Sequence, residues 1–453
     1  MGRHTIGMST QTPLLRFDRT AEEQGLAPAG GELPPHRLSP GGVTRMELPT
    51  LRALRAEGWL HKAHWFSLQP GAPPSVSLEG GDVMLHHLQM RDDELEAYAR
   101  TKELLWAEIH GLPTKRFSPD DFRHYARYNA RTADALLHHA DEMDLAYIHD
   151  FQLLQVGAMV GLAAPCVLRW HVPWDPKRIR RYPREFMLKV MDDFDTVVVS
   201  TRRDLEGLLE AGFHGRVRQV YPHIDAAEWP DARPGDIQRI EDAWGLQPDD
   251  PLVLLVARMD PMKRQDLAIQ AMAAVQNRFP RARLVLVGNG SFSGKLGAKK
   301  GQPGKAEAWR AHLQGLVEEL GLGDRVRFAH YIPDDLLAPA YARASVLLLP
   351  SDIEGFGLTP LEAWRYGRVP IVSSGCGAAE VVADGVNGLV FPAGDAQALA
   401  EAIARVLGDR GAADQMGDAG RRTLPNHTVE AAVPRIREIL DEAIQGYGGR
   451  ASG

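Results

Sequence analysis

The sequence predicts an α/β protein made of two Rossmann-like domains, each built around a parallel sheet. The first observation is length: 453 residues exceed the usual size of a single core and favour two domains of about 200 residues each. The second is that short apolar runs alternate with longer amphipathic segments, as strands alternate with helices in α/β folds. The third is that these runs are apolar almost throughout, which is typical of strands buried on both faces.

The predicted elements fall into two blocks along the chain. In the first block the predicted strands are 145–150, 166–171, 196–200 and 217–222. In the second block they are 252–257, 283–288, 326–330, 345–350, 370–374 and 388–392. The clearest predicted helices are 93–111, 182–194, 266–279, 395–407 and a closing helix over 427–446.

The two blocks meet in a polar stretch with two prolines, within residues 223–250, which we interpret as a linker. Residues 1–40 are rich in Gly, Pro and charge and show no periodicity, so we expect a flexible N-terminal extension. The predicted domains are therefore 41–228 and 229–426. The closing segment, 427–453, is expected to pack back on the first domain.

Composition narrows the class of protein. With 52 Lys and Arg against 59 Asp and Glu, the net charge is −7, which argues against general nucleic-acid binding. The two cysteines, Cys166 and Cys376, have no metal-ligand spacing and fit a reducing compartment. No apolar run approaches the roughly 20 residues that span a bilayer, and the start of the chain lacks a signal-peptide core. We expect a cytoplasmic protein without nucleic-acid or membrane partners.

Two carboxylates flank a glycine-rich turn in "SDIEGFGLTPLEAWRYG", residues 351–367. For Glu362, the pattern Thr-Pro-Leu-Glu is that of a capping box with proline at the first helical position, so helix capping alone is an equal alternative. Capping explains Glu354 poorly. A carboxylate there can accept hydrogen bonds from sugar hydroxyls, while free N–H groups at the helix start suit phosphate oxygens. The turn therefore indicates a sugar-nucleotide site.

Two cations follow an earlier predicted strand of the same block. Arg258 ends the strand, and Lys263 lies five residues further on, before a helix. Two positive side chains at one strand end can neutralise a departing diphosphate without a metal ion. The alternative is a pair of solvated surface side chains, which the glycine-rich turn of the same block disfavours.

From about residue 250 to 407 these motifs resemble the nucleotide-binding domain of retaining glycosyltransferases with the GT-B fold, specifically glycosyltransferase family 4. That family has R-x4-K after a strand and E-x7-E around the turn, matched here by Arg258/Lys263 and Glu354/Glu362. The resemblance implies two domains facing a cleft. It also implies that the two cations hold the diphosphate, Glu354 contacts the donor sugar and Glu362 the ribose hydroxyls. The further donor-binding residues it implies are Gly42, Gly288, Gly355, Phe356, Gly357, Leu358 and Thr359.

Within that family, several strings resemble the trehalose synthase branch, whose members join nucleotide-activated glucose to free glucose. They are "GGV" (41–43), "IHDFQ" (148–152), "RWHV" (169–172), "PHID" (222–225), "RMDPMK" (258–263) and "EGFGLT" with "EAW" (354–364). The resemblance implies transfer of a hexose, glucose in this branch, with retention at the anomeric carbon and with UDP-, ADP- or GDP-glucose as donor. No cofactor is expected to be required, and a non-essential Mg²⁺ is left open. Residues 226–231 and 373–380 depart from the pattern, so glycerate, a sugar phosphate or a lipid-linked glycan remain alternative acceptors.

Polar residues also follow strands of the first block. We expect His171 to act in catalysis, and His149, Asp150 and Arg169 to bind the acceptor, with satisfied strand-end residues as the structural alternative. The basic segment 175–186 could bind an anionic acceptor or a membrane surface, or be an exposed cationic loop. Its cations are Lys177, Arg178, Arg180, Arg181 and Arg184.

No metal site is predicted, because the Asp-x-Asp letters within 192–195 fall before a strand, and we interpret them as solvated charge. A Gly/Lys-rich loop, 291–307, with Lys295, Lys299 and Lys300, could cover the phosphates or be merely solvated. The expected partners are a small-molecule sugar donor and acceptor, and a homodimer is left open. A rival class is a non-catalytic nucleotide-sugar-binding regulator, which the complete pair of motifs disfavours.

Overall fold

The computed structural model describes residues 4–17, 36–39, 41–288, 304–330, 332 and 334–451. The chain divides into two compact units. The first contains residues 1–221 and 429–453, and the second contains residues 222–428. The division falls at Tyr221/Pro222, a few residues before the boundary expected at 228.

The first unit is built on an eight-stranded sheet with the order β10-β9-β8-β7-β1-β4-β6-β5. All neighbouring strands pair in parallel except β5 and β6. A two-stranded antiparallel ribbon, β2–β3, stands apart from this sheet. The strands are β1 (His4–Ser9), β2 (Leu15–Phe17), β3 (His36–Leu38), β4 (Leu60–Leu68), β5 (Ser75–Leu78), β6 (Val83–Leu88), β7 (Leu145–His149), β8 (Cys166–Trp170), β9 (Thr196–Val199) and β10 (Val217–Gln219).

Helices of the first unit connect these strands. They are α1 (Gly42–Ala56), α2 (Asp92–Ile109), α3 (Pro119–Leu137), α4 (Val156–Val160), α5 (Arg181–Met191) and α6 (Arg202–Glu210). The four strands predicted in the first block of the sequence are all present, as β7 to β10.

The expectation of a flexible extension over residues 1–40 is wrong for β1. This strand pairs with β4 on one side and β7 on the other, and Ile6 and Met8 are completely buried. Between them, Gly7 faces the chain that follows α3: a Cβ atom there would lie 2.2 Å from Met143 Sδ. With only two large apolar side chains, the strand offers too short a periodic pattern to be recognised from sequence.

The second unit contains a six-stranded, all-parallel sheet with the order β13-β12-β11-β14-β15-β16. Its strands confirm the six predicted in the second block: β11 (Leu252–Val256), β12 (Arg283–Val287), β13 (Val326–His330), β14 (Val346–Leu349), β15 (Val369–Ser373) and β16 (Leu389–Phe391). Its helices are α7 (Pro234–Trp244), α8 (Gln265–Val275), α9 (Lys305–Glu319), α10 (Asp334–Arg343), α11 (Thr359–Arg365), α12 (Ala396–Gly408) and α13 (Arg410–Thr423).

The interpretation of 223–250 as a linker is also wrong, because α7 lies inside it. Pro234 occupies the first helical position, where a proline without an N–H is tolerated, and Gly245 ends the helix in a left-handed conformation. Ile240 and Trp244 are buried. The proline thus marks the start of a helix rather than an unstructured connection.

The closing helix, α14 (Val429–Ala451), belongs to the first unit. It packs on α1 and contributes Val433, Ile436 and Leu440 to the hydrophobic core of that unit. Trp59 Nε1 donates to Asp441 Oδ1 at 2.8 Å. No helix in the described part of the chain combines the length and apolar character needed to cross a membrane.

Each sheet has a point at which the chain reverses the direction in which strands are added. In the second unit the chain runs from β11 outward to β13 and returns to place β14 on the other side of β11. In the first unit it runs from β1 to β6 and returns to place β7 beside β1. Ligands of open parallel sheets bind outside the carboxyl ends of strands at such points.

Candidate functional site

The predicted donor residues of the second unit gather at the carboxyl edge of its sheet. Gly288 follows β12, Arg258 and Lys263 follow β11, and Glu354 lies in the connection after β14. Because β12, β11 and β14 are neighbours, these segments lie side by side at the reversal point. We call this group the second-unit cluster.

Its centre is an ion pair between Lys263 and Glu354. Lys263 Nζ donates to Glu354 Oε2, and Ser351 Oγ donates to the same oxygen at 3.3 Å. The side chains of Lys263 and Glu354 are 15% and 22% exposed, so both can be reached by a ligand while remaining restrained by the protein. The structure thus brings together the two motifs that the sequence places 91 residues apart.

Asp260 supports the lysine and was missed by the sequence analysis. Its Oδ1 accepts from the N–H of Met262 at 3.0 Å, which orders the short turn carrying Lys263. Burial favours the protonated form of Asp260, but Lys305, this N–H, Arg258 and Lys263 outweigh burial and hold the pKa of the carboxyl below its usual value. The negative charge of Asp260 offsets the repulsion between the neighbouring cations, so that these can lie close together. Its position within "RMDPMK" was the available signal.

Arg258 has an exposed side chain, and its carbonyl oxygen accepts from Gln265 Nε2 at 2.7 Å. Only glycine fits at position 288, since φ is +141° and a Cβ atom would lie 1.9 Å from the carbonyl oxygen of Ala257. The carboxyl ends of strands β11 and β12 are therefore in close contact beside Arg258.

The glycine-rich turn is held by backbone hydrogen bonds to the segment after β15. Glu354 N donates to Gly375 O at 3.2 Å, and Ala378 N donates to Phe356 O at 2.9 Å. Gly357 has a φ of +94°, and a Cβ atom there would lie 2.5 Å from a methyl carbon of Leu349. This bonding fixes the backbone of 354–359, including Gly355 and Leu358, beside Lys263.

The capping-box alternative for Glu362 does not describe this helix. The N-cap of α11 is Leu358, and no side chain caps it, so Thr359 is already the first helical residue. Glu362 is 7% exposed and its Oε2 accepts from the hydroxyl of Tyr341, on α10. A tyrosine from another helix therefore orients the carboxylate, which sequence spacing could not reveal.

A second group of polar residues, which we call the first-unit cluster, lies at the reversal point of the first unit. His149 ends β7, and its Nδ1 lies 2.9 Å from Nε2 of His171, which follows β8. The two rings are stacked, with centroids 5.3 Å apart. Glu47 on α1 places Oε1 3.9 Å from His149 Nδ1. Glu47 was missed by the sequence analysis, because nothing in the pattern of α1 separates it from a solvated helical glutamate.

Burial dominates the electrostatics of this first-unit cluster. It raises the pKa of Glu47 to about 7, against the opposing charge of Arg169. It also raises the pKa of Asp150 to about 7, although Asp150 Oδ1 accepts from the N–H of His171 at 3.0 Å. Burial and Arg169 both lower the pKa of His149. Near neutral pH the cluster therefore offers neutral imidazole and half-protonated carboxyl groups.

Arg169 is placed beneath these groups rather than at the surface. It is 1% exposed, and its guanidinium donates to the carbonyl oxygens of Val220 at 2.8 Å and Val199 at 3.4 Å. In this position it acts on the ionisation of its neighbours. Gly42, a predicted donor residue, is the first residue of α1, whose N-cap is Gly41.

Arginines of the basic segment 175–186 form contacts within the chain. Arg180 donates to Glu108 and Thr114, and Arg184 donates to the carbonyl oxygen of Pro176 at 2.6 Å. Two more ion pairs join Arg178 to Asp175 at 3.2 Å and Arg181 to Glu185 at 2.7 Å. The lysines of the predicted loop at 295, 299 and 300 lie outside the described residues.

Two groups in the described part of the chain bring ligand atoms within 4.8 Å of one another, close enough for one metal ion. One is Glu47, His149 and His171, in the first-unit cluster. The other is His64, His86 and His139, elsewhere in the first unit. The Asp-x-Asp letters contribute to neither: Asp195 accepts from the N–H of Cys166 at 2.8 Å.

The fold defines the class of protein as α/β with two Rossmann-like domains of the GT-B type, as predicted. The chain aligns with the sucrose-phosphate synthase (tll1590) from Thermosynechococcus elongatus at a TM-score of 0.71 and 21% identity, over 98% of this chain and 100% of that one. It aligns with the trehalose-6-phosphate synthase OtsA at a TM-score of 0.77 and 17% identity, over 97% and 99%. Anabaena Alr3699/HepE, in complex with UDP and glucose, aligns at a TM-score of 0.70 and 19% identity, over 97% and 100%.

Family comparisons are more specific about each unit. Residues 236–423 match the family described as "Glycosyl transferases group 1", and residues 86–205 match "Trehalose synthase, N-terminal domain". The second unit is therefore similar to group 1 glycosyl transferases, and the first is similar to the N-terminal domain of trehalose synthase.

Curated relatives carry names that mention other acceptors. The chain is 32% identical to D-inositol 3-phosphate glycosyltransferase 2 of Catenulispora acidiphila over 221 residues, 48% of this chain and 49% of that protein. It is 30% identical to the GDP-mannose-dependent alpha-(1-6)-phosphatidylinositol monomannoside mannosyltransferase of Mycolicibacterium smegmatis over 270 residues, 57% and 65% of the two chains. The chain spans about half the length of the D-inositol 3-phosphate relative.

Proposed function

We propose that this protein is a retaining hexosyltransferase that moves glucose from a nucleoside diphosphate sugar to a small soluble acceptor, with glucose as the acceptor and trehalose as the product. The observation that carries the proposal is the Lys263–Glu354 ion pair at the reversal point of a group 1 glycosyltransferase domain. In the proposal, Lys263 of this pair binds the diphosphate and Glu354 binds the donor sugar.

On the donor side, Arg258 and Lys263 stabilise the negative charge that develops on the diphosphate as it leaves. Such stabilisation is often the largest single contribution to catalysis in a water-excluded site. Lys263 is held by Glu354 before any ligand arrives, so little reorganisation is needed when the charge develops. Glu354 accepts from hydroxyls of the donor sugar, and Glu362, oriented by Tyr341, accepts from the ribose hydroxyls.

In the proposed reaction the acceptor hydroxyl attacks the anomeric carbon from the side on which the diphosphate leaves. The bond from that carbon to the diphosphate oxygen breaks, and a bond to the acceptor oxygen forms on the same face. The acceptor proton passes to the departing diphosphate oxygen. Retention follows because the new bond replaces the old one on the same face.

On the acceptor side, the first-unit cluster favours a neutral polyol. His149 and His171 share one hydrogen bond, which fixes the tautomer of each ring relative to the other. His171 then faces the transferred sugar, and His149 and Asp150 bind acceptor hydroxyls. A neutral His149 ring and carboxyl groups with a pKa of about 7 suit hydroxyl groups better than a phosphate.

A phosphorylated acceptor is the second candidate, because the relative from Catenulispora acidiphila is named a D-inositol 3-phosphate glycosyltransferase. The arginines of segment 175–186 would be its natural partners, but Arg180, Arg184 and their neighbours already donate to groups of this chain. Binding a phosphate there would require those contacts to be exchanged.

An acceptor screen tests the proposal. UDP-, ADP- and GDP-glucose are each incubated with glucose, glycerate, glucose 6-phosphate and D-inositol 3-phosphate, and the release of nucleoside diphosphate is measured. The expected result is release that depends on glucose, with an α,α-linked product by NMR. If nucleoside diphosphate is released only with a phosphorylated acceptor, trehalose is not the product. No release with any pair would favour a non-catalytic nucleotide-sugar-binding regulator.

A further inference from the structure

Three histidines from distant segments converge on one face of the first-unit sheet. His64 lies in the middle of β4, and His86 lies on the neighbouring strand β6. His139 follows α3, which packs on β4. Their ring nitrogens, one from each residue, lie within 4.8 Å of one another. We call these residues the histidine trio.

Gly7 explains how His139 reaches the sheet. A Cβ atom at Gly7 would lie 2.7 Å from Leu136 at the end of α3 and 2.2 Å from Met143 in the following turn. Because β1 carries no side chain there, the connection from α3 to β7 can rest directly on the sheet. His139 and Glu142 lie on this connection and are thereby carried over β4.

The distances suit a metal ion bound by imidazoles. His64 Nδ1 lies 3.0 Å from His86 Nε2, so two ring nitrogens already face each other. Ligand atoms at about 2.1 Å from a tetrahedral Zn²⁺ are about 3.4 Å apart, so the spacing between His64 and His86 needs only a small adjustment. The rings of His64 and His139 have centroids 4.3 Å apart, which leaves the third imidazole next to the same point.

Glu142 lies where a supporting carboxylate is expected. Its Oε2 is 3.5 Å from His64 Nε2, the nitrogen that faces away from His86, and its Oε1 is 3.6 Å from His139 Nδ1. Metal-binding histidines usually donate their second N–H to such a carboxylate, which fixes the ring and its tautomer. Lys62 Nζ is 3.4 Å from Glu142 Oε2, so the carboxylate also balances the nearest cation.

We propose that the histidine trio binds one divalent transition-metal ion of the Zn²⁺ class, with His64, His86 and His139 as ligands and Glu142 as the carboxylate that positions His64. Three protein ligands leave a fourth position for water.

This site is distinct from the first-unit cluster. His64 pairs with Gly7, which pairs with Ala146, three residues before His149 on β7. Three residues of a strand correspond to roughly 10 Å. The bound ion would join β4, β6 and the α3–β7 connection, and would therefore act on the stability of the unit.

Metal binding by the untagged 453-residue chain tests the proposal. After dialysis against a chelator, Zn²⁺ is titrated in competition with a chromophoric chelator, and Co²⁺ is added separately to record its visible spectrum. We expect one high-affinity equivalent of Zn²⁺, an intense Co²⁺ absorption typical of tetrahedral sites, and a rise of several degrees in Tm when Zn²⁺ is about 100-fold above its Kd.

Variants locate the ion. His139→Ala changes a residue outside the strands and is expected to weaken Zn²⁺ binding at least 10-fold and to abolish the Tm shift. Glu142→Gln is expected to weaken binding by roughly 10- to 100-fold. The matched control is His138→Ala, an adjacent, exposed histidine whose Nδ1 contacts the carbonyl oxygen of Asp134 at 2.8 Å. It should bind Zn²⁺ like the original chain.

Two results would overturn the proposal. One is the absence of a bound equivalent of Zn²⁺, which would leave His64 and His86 as a hydrogen-bonded pair with His139 packed beside them. The other is a Zn²⁺ equivalent that survives His139→Ala but is lost in His171→Ala, which would place the ion in the first-unit cluster.

Discussion

The two strand-end clusters occupy equivalent positions in their sheets and differ in chemistry. The second-unit cluster is charged and partly exposed, and a lysine and a glutamate form its centre. In the first-unit cluster, Glu47 and His149 are buried, and desolvation drives the carboxyl groups of Glu47 and Asp150 and the imidazole of His149 toward their neutral forms. Equivalent positions of two parallel sheets can therefore hold either a charged cluster or a largely neutral one, depending on whether ion pairing or burial dominates.

Replacing Lys263 removes a central charge of the second-unit cluster. Losing one donor to a developing anion typically costs about 2.7–4 kcal/mol, or roughly 10²–10³ in kcat. We expect Lys263→Ala to lower the glucose-dependent release of nucleoside diphosphate by that factor, with little change in Tm. The matched control is Arg278→Ala, an exposed cation that follows α8 and precedes β12. Equal turnover in both variants would remove Lys263 from the proposed mechanism.

Replacing Glu47 tests the neutral side. Its pKa rises from the ordinary value of 4.5 to about 7 on folding, so the folded state binds the proton more tightly. The contribution of this protonated carboxyl to the free energy of unfolding is therefore lost as the pH rises from about 4.5 through 7, by on the order of 3 kcal/mol in all. Glu47→Gln should avoid that loss, and its Tm should exceed that of the original chain at pH 8.

The measurement is thermal unfolding of both proteins between pH 4.5 and 8.5. The two Tm curves should approach each other at the acidic end, separate progressively between pH 4.5 and 7, and differ by several degrees at pH 8. Glucosyl transfer should fall in the same variant. Parallel Tm curves would mean that Glu47 is ionised in the folded protein, against the neutral character of the cluster.

The smallest effect concerns the orientation of Glu362. Tyr341→Phe removes the hydroxyl that donates to this carboxylate. We expect the KM for the donor to rise about three- to tenfold with kcat nearly unchanged, because a lost hydrogen bond of this kind costs about 1 kcal/mol. Tyr366→Phe is the control, since its ring stacks on Tyr341 but its hydroxyl donates to the carbonyl oxygen of Pro230. Identical KM values for the two variants would contradict the proposed role of Tyr341.

Sequence reasoning succeeded where a local pattern carries the information. The second-unit strands are continuous apolar runs, and Arg258, Lys263 and Glu354 follow them directly. It failed where the pattern is short or polar: β1 was assigned to an extension, and α7 to a linker. A buried strand with a central glycine and a helix that begins at a proline both resemble irregular chain when only composition and periodicity are considered.

By itself, the sequence determined the α/β class, the carboxyl-end position of the polar motifs and the choice of two cations and two carboxylates as candidate donor residues in the second unit, because buried parallel strands and glycine turns impose local requirements on residue type. Only the tertiary structure decided that Glu47 lies beside His149, that Tyr341 orients Glu362, and that the histidine trio forms. These contacts join segments far apart in the chain. The strand order brings such segments together, and Gly7 allows the close packing that the histidine trio requires. Hydrophobic periodicity encodes neither the strand order nor this packing.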